Sequence, residues 1–336
     1  MTVALDSSGV AAHYASSYYV WRRRTAGGGG WGVTPARQRW PKLQLMADVE
    51  THLILSMGPQ FGPTHDAPAF AALLACAAAT LPRAVQVACL LADAGYDAEH
   101  NLALAHRQYA IPRVVVALNR GAYPTRLPHG RYRRALARRF PRARYRHRAQ
   151  IESVFSRFKR RLGGALTARR PAAQMRELML RVLTHNLMLL RAVARRIQQS
   201  QRHRGTGSVE RCEVCSEWGT VAGRWSGMKR AMTKSAVRVA RTAYRMGQEL
   251  LPRYGRGPRA PRRYTQPQLY ALLILRAYLD LDYRGVAALL AEWGELRAAL
   301  ELGQVPHYST LCYAEHRLLG EKRGSSPRRS PPTRFA

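Results

Sequence analysis

In the stretch YRHRAQIESVFSRFKRRLGG, residues 145–164, one acid, Glu152, stands in a run that is otherwise basic and apolar. Taken as a helix at about 100° per residue, Tyr145, Arg148, Glu152 and Lys159 fall within a wedge of about 60°. Ile151, Val154, Phe155, Phe158 and Leu162 occupy the adjoining arc, so this helix is expected to pack an apolar face on a sheet and turn a polar edge to a cleft. Two further acids end apolar, strand-like runs: Asp6 after VAL and Asp93 after ACLLA. If those strands are neighbours in an α/β sheet, both carboxylates leave adjacent strand ends, where open sheets place their sites. Three converging acids repel one another. Divalent cations relieve that repulsion, and hard carboxylate oxygens select Mg²⁺ or Mn²⁺. Two such ions can clamp the attacking and leaving oxygens of an in-line phosphoryl displacement.

Each acid also has a plainer use. Asp6 can cap a turn before SSG, Asp93 can cap the turn DAGYD, and Glu152 can pair with Arg148 or Lys159. Asp48, Asp66 and Asp97 are rival acids; Asp66 reads as a helix N-cap and Asp97 as part of a turn, which leaves them outside the metal-binding set.

The elements that must position these groups follow from the apolar pattern. TVALD and SSYYVWR read as strands, and KLQLMAD with THLILSMG as a hairpin turning near Val49 and Glu50. DAPAFAALLACAAATL is helical, VACLLAD a strand, AEHNLALAHRQ a helix and RVVVALN another strand. The helix from Tyr145 through Leu162 ends at Gly163 and Gly164, and PAAQMRELMLRVLTHNLMLLRAVARRIQQ forms a second. The expected class is α/β, a mixed sheet with flanking helices. Residues 200–262 read as a linker containing one helix, KSAVRVARTAYRMGQEL, between Gly-, Pro-, Arg- and Ser-rich stretches. Residues 263–320 read as an all-α block, with Thr265 and Gln268 at capping-box spacing, Asp282 as a second cap and a short helix after Pro306. Short helices in a basic chain suggest a helix-turn-helix module; a small bundle without DNA contact is the alternative. Residues 321–336 are expected to be a disordered tail.

Fifty-five Lys and Arg against twenty Asp and Glu give a formal charge of +35. Such an excess repels itself without a polyanion, and 46% hydrophobic residues argue for folded cores beneath a cationic surface, so nucleic acid is the expected partner. The longest apolar run, AFAALLACAAATLP, is too short to span a bilayer, and no membrane partner is expected. MTVALDSSGV lacks the basic and apolar regions of an export signal, and the expected location is the cytoplasm, at the nucleoid. Five cysteines fit reduced thiols better than a disulfide framework. Cys212 and Cys215 could supply half a zinc site, which His203 or Cys312 would have to complete. AGGGGWG, residues 26–32, lacks the frame of a phosphate-binding loop and reads as a hairpin loop.

ALDSSG, LADAGYD and YRHRAQIESVFSRFK resemble the three catalytic segments of bacterial insertion-sequence DDE transposases with a Y-R-E-K signature. In that signature two residues separate Tyr from Arg, three separate Arg from Glu and six separate Glu from Lys; Tyr145, Arg148, Glu152 and Lys159 match each step. The resemblance covers residues 2 to about 195 and implies a ribonuclease H-like fold over 1–199, in which Asp6, Asp93 and Glu152 bind two Mg²⁺ ions, Mn²⁺ being a possible substitute. It implies water as the first nucleophile at the element's ends, then attack by the freed 3′-hydroxyl on target DNA. Tyr145, Arg148 and Lys159 are expected to hold the terminal double-stranded DNA, and a homodimer on DNA is expected. The basic run GRYRRALARRFPRARYRHR adds phosphate contacts, or is simply a solvated face.

The block YTQPQLYALLILRAYLDLDYRGVAALLAEWGELRAALELGQVPHYSTL resembles the N-terminal region of the same transposases, which ordinarily precedes the first Asp; here it follows the catalytic segments. Two outcomes stay open: an active enzyme whose displaced block docks in its usual place, or a DNA-binding remnant or fusion of two copies without catalysis. A basic scaffold such as a ribosome-associated protein gives no reason for acids at strand ends.

Overall fold

The computed structural model describes residues 1–12, 41–62, 64–81, 85–119, 127–202, 233–255 and 262–320. The expected strand SSYYVWR, the AGGGGWG loop, His203, Cys212, Cys215 and residues 321–336 lie outside them. Five described strands form one mixed sheet. The central strand β1 (Thr2–Gly9) pairs antiparallel with β3 (Pro41–Asp48), and β3 pairs antiparallel with β4 (Ile54–Phe61). On its other side β1 runs parallel to β5 (Cys89–Ala92), which runs parallel to β6 (Arg113–Val116). CLLA is apolar at every position because a parallel strand with both faces covered has no solvent side; Leu90, Leu91 and Ala92 are fully buried. A short β2 (Ala11–Ala12) continues from β1 and pairs parallel with β7 (Ala165–Leu166).

The β3–β4 turn shows how one rival acid is used. Asp48 accepts from the Thr51 amide at 2.9 Å and its hydroxyl at 2.6 Å, while His52 takes a positive φ of 63°. Asp48 is therefore a turn residue.

Helix α1 (Phe70–Thr80) lays Phe70, Leu73, Leu74 and Ala77 over β3 and β4, and α2 (Glu99–Arg107) packs beside it against β6. Two short helices, α3 (Arg131–Arg138) and α4 (Arg142–Tyr145), lead through a 3₁₀ turn at Arg146–Arg148 into α5 (Ala149–Leu162). The expected single helix from Tyr145 is thus interrupted before its apolar face begins. Ile151, Val154, Phe155, Phe158 and Leu162 are the buried residues of α5, as their spacing predicts. Phe158 is fully enclosed, and truncating it to Ala costs about 3–5 kcal/mol.

The long helix α6 (Pro171–Arg202) crosses behind the hairpin, where Asn186 accepts from the Ile54 amide at 2.9 Å and donates to its carbonyl at 2.7 Å. Against α6 stands the C-terminal bundle: α7 (Ala236–Leu250), α8 (Gln266–Leu279), α9 (Tyr283–Glu292), α10 (Gly294–Ala299) and α11 (Tyr308–Leu319). The Thr265–Gln268 capping box forms, and Asp282 accepts from the Gly285 amide at 2.6 Å. Within the segment read as linker, α7 is a packed member of this bundle. Its Gly247 meets α8 so closely that a Cβ would lie 2.9 Å from the Pro267 Cα. Among the described residues, no helix is long and apolar enough to cross a membrane.

Charged staples hold the bundle to α6. Arg181, 1% exposed, donates to the carbonyls of Gly163 and Ala165, both at 2.8 Å, to Glu177 at 2.7 Å and to Asp280, just past α8, at 3.3 Å. Glu315 on α11, 3% exposed, accepts from Arg276 at 2.7 Å and Arg176 at 3.4 Å. Each buried charge is met by an opposite one, which removes the penalty of enclosing it alone.

Candidate active site

The parallel register sets the first two acids side by side. Leu5 pairs with Ala92 across β1 and β5, so Asp6 and Asp93 follow one step further along, with backbones about 5 Å apart. Asp6 accepts from the Ser7 amide at 2.8 Å, and Asp93 accepts from the Gly95 amide at 3.0 Å as it opens a 3₁₀ turn over Ala94–Tyr96. Asp93 therefore serves its turn as well as the candidate site. Burial raises the pKa of Asp6, and the neighbouring Asp93 charge adds to the rise. Asp93 is raised too, by burial first and then by the charge of Asp66.

The third acid arrives through an arginine. Arg148 donates to the Asp6 carboxylate at 3.0 Å and to Glu152, one turn along α5, at 2.6 Å. One guanidinium with two hydrogen bonds bounds the separation of those carboxyl oxygens at about 8 Å. Burial works against the charge on Arg148, but Asp6, Glu152 and Asp93 outweigh it, and its pKa rises. Glu152 remains 60% exposed on its outer side.

Tyr145 lies beside this arginine, its ring centroid 5.9 Å from the guanidinium carbon, and stacks edge-on to Phe140 at 5.1 Å. Burial raises its pKa against the opposing effect of Arg148. Lys159 reaches back to β1, donating to the Ser8 hydroxyl and the Gly9 carbonyl, both at 2.8 Å. The structure thus gathers Asp6, Asp93, Arg148, Glu152 and Tyr145 around the central strands β1 and β5, with Lys159 pinned to the last two residues of β1. Around them Arg138, Arg139, Arg142, Arg144 and Arg146 are exposed. Asp97 and Glu99 lock α3 in place: Asp97 takes both ends of the Arg133 guanidinium, at 2.8 and 2.7 Å, and Glu99 accepts from the Tyr132 and Arg133 amides.

The helix-cap assignment of Asp66 is not what the structure shows. It precedes the 3₁₀ turn Ala67–Ala69, but its side chain caps nothing. Its carboxylate instead takes Lys42 at 2.6 Å, Gln44 at 2.7 Å and the Ser7 hydroxyl at 3.0 Å. The Asp-before-helix signal is local, whereas these partners lie 22 to 59 residues away in sequence.

A divalent ion can be tested against these groups. The donors are hard carboxylate oxygens, two of them desolvated and mutually repelling, which is the chemistry that Mg²⁺ and Mn²⁺ satisfy. The Tyr96 hydroxyl is enclosed without a hydrogen-bond partner among the described residues, and the charges of Asp66, Asp6 and Asp93 add to burial in suppressing its ionisation. As the side chains stand, Arg148 supplies the positive charge between Asp6 and Glu152. No three acidic, histidine or cysteine side chains among the described residues close on one point. The residue types fit such an ion, and Asp6 and Asp93 are the two of these acids that lie side by side.

An antiparallel hairpin, a central strand and two parallel strands, with flanking helices, define a ribonuclease H-like α/β fold; Asp93 follows the end of β5 as expected, whereas β1 runs on to Gly9 and holds Asp6 inside the strand, paired with Leu45, rather than at its end. The model of the transposase DDE domain matches residues 1–187, over half of the sequence, and the chain belongs to that family. No curated protein and no solved structure matches it. The family assigns a transposase function and DNA as partner, and DDE transposases generally act with divalent metal ions.

Proposed function

We propose that this chain cuts DNA at the ends of an insertion sequence and joins the freed ends to target DNA, using Asp6, Asp93 and Glu152 as the metal-binding acids. The observation that carries this reading is the register: two acids leave neighbouring parallel strands side by side, and a third is tied to one of them through a single arginine. When bound, a pair of divalent ions would activate the attacking oxygen and stabilise the leaving one. The chain's own part is to hold the carboxylates around the central strands and to present positive charge to the DNA backbone. Arg148 and Lys159 offer phosphate contacts once their present partners are exchanged, and Tyr145 offers a ring for the distorted end. Exposed arginines of α3 and α4 extend the basic surface.

The order of segments, with a helical block after the catalytic domain, is read as a displaced N-terminal region. Its docking on α5 and α6 supports a working assembly over an unpaired remnant. The block also offers a surface for duplex DNA. Arg263, Tyr264, His307, Tyr313 and Arg317 line a cleft beside α11, and Arg284 stacks 4.8 Å from the Tyr308 ring.

The test is nicking of a duplex carrying the element's terminal repeats, with Mg²⁺. Wild-type protein is expected to release 3′-hydroxyl ends, and Glu152→Gln to abolish that. Salt-sensitive DNA retention with no cleavage by either protein would instead identify a binding protein.

A further inference from the structure

The acid that sequence reading set aside occupies a distinctive place. Asp66 projects from the turn before α1, yet its carboxylate makes no hydrogen bond within that turn, where only its backbone carbonyl accepts, from the Ala69 amide. Its three donors sit on two strands: Ser7, next to Asp6 on β1, and Lys42 and Gln44 on β3. Ser7 and Gln44 are register partners, so one carboxylate closes both on a single face of the sheet. On its other side Asp66 lies against Gly95. A Cβ there would stand 3.0 Å from Asp66 Oδ2 and 3.1 Å from Asp93 Oδ1, so the two carboxylates flank that backbone closely and a side chain would press on both. Asn101 completes the frame, donating to the Ala67 carbonyl at 3.0 Å and the Tyr96 carbonyl at 3.2 Å, which ties the Asp66 turn to the Asp93 turn.

We infer that Asp66 is a positioning residue: it braces the stretch of β1 that carries Asp6 and Ser7 against the turn that carries Asp93, and so fixes the spacing of those two carboxylates. Lys42 pairs with it at 2.6 Å and offsets part of its charge, although Asp66 still adds to the repulsion felt by Asp93. The inference rests on the reading of Asp6 and Asp93 as metal-binding acids. Asp66 touches no reacting atom itself; it acts through Ser7 and Gly95.

Mn²⁺ binding to the full-length chain, followed by electron paramagnetic resonance without DNA, tests this apart from catalysis. Asp66→Ala is expected to weaken Mn²⁺ about tenfold, as loss of outer supports to metal ligands does. Asp66→Asn keeps an acceptor for Lys42 and Gln44 and a group for Ser7, so it should stay within about threefold of wild type. Ser7→Ala, which cuts the same brace from the opposite end, should weaken binding about threefold. Circular dichroism reports whether each variant folds. Should Asp66→Ala fail to fold, Ser7→Ala and Asp66→Asn carry the test. Wild-type affinity in a folded Asp66→Ala, or in Ser7→Ala, overturns the brace, and so does an Asp66→Asn as weak as Asp66→Ala, since charge alone would then explain the loss. Asp6→Asn separates the two levels. If it binds Mn²⁺ as wild type does, or if wild type binds none, the metal-site reading itself falls and takes the brace with it.

Discussion

Two arginines in this molecule make the same pattern of bonds to different ends. Arg148 and Arg181 each pair with a glutamate one helical turn away and with an aspartate from another element: Glu152 and Asp6 in one case, Glu177 and Asp280 in the other. Arg181 is 1% exposed and also takes two backbone carbonyls, so its fork is filled from every side. Arg148 is 20% exposed, makes its side-chain bonds to carboxylates with no backbone carbonyl partner among the described residues, and faces acids whose protonation burial favours. Full enclosure turns such a bridge into a structural rivet, whereas an open side leaves it exchangeable for another cation or for a phosphate.

Replacing each arginine by alanine should separate the two roles. Arg181→Ala strands the buried Glu177 and detaches Asp280, and a loss of about 3–5 kcal/mol in unfolding free energy is expected from urea denaturation. Equal stability to wild type would mean that the bundle docks without this seam. Glu315→Gln on the same seam removes the charge shared by Arg176 and Arg276 and should cost about 2 kcal/mol in the same assay.

His185, in the wall between α6 and the hairpin, adds a pH dependence. Its Nε2 donates to the His52 carbonyl at 3.1 Å, and burial pushes its pKa down to about 4, from 6.5 in the unfolded chain. Between those values the unfolded state binds the extra proton, so stability falls as pH drops from 6.5 toward 4. His185→Gln should flatten that fall in denaturant midpoints measured at pH 7 and pH 4.5; an unchanged slope would place the acid-sensitive group elsewhere. The smallest stability change is expected for Arg148→Ala, within about 1 kcal/mol because the pair is partly solvated. That variant should nevertheless lose DNA nicking, whereas a stability loss matching that of Arg181→Ala would erase the distinction drawn between the two bridges.

The same contrast explains what the sequence made legible. Strand-end acids, apolar arcs and caps are local or periodic signals: Asp93 after ACLLA, the buried face of α5 and the Thr265–Gln268 box were all readable from neighbours a few residues away. Bridges made across the fold were not. Asp66 carries a cap's local signature while its partners come from β1 and β3. The Arg148–Asp6 bond joins residues 142 apart, and nothing in the run of arginines singles out its member. The 3₁₀ turn at 146–148 breaks a helix with no glycine or proline to announce it. Flanking Gly, Pro and Arg made α7 read as an island in a linker, although its Ala, Val and Tyr positions already had a helical apolar period.

The central claim is that Asp6, Asp93 and Glu152 act as one centre for cutting DNA. Its most direct test is the Mg²⁺-dependent nicking rate of element-end duplex for Asp6→Asn and Asp93→Asn beside wild type, with folding matched by circular dichroism. Both variants should fall by at least about a thousandfold, as loss of a metal ligand at a phosphoryl-transfer centre predicts. Wild-type nicking by either folded variant would contradict the account.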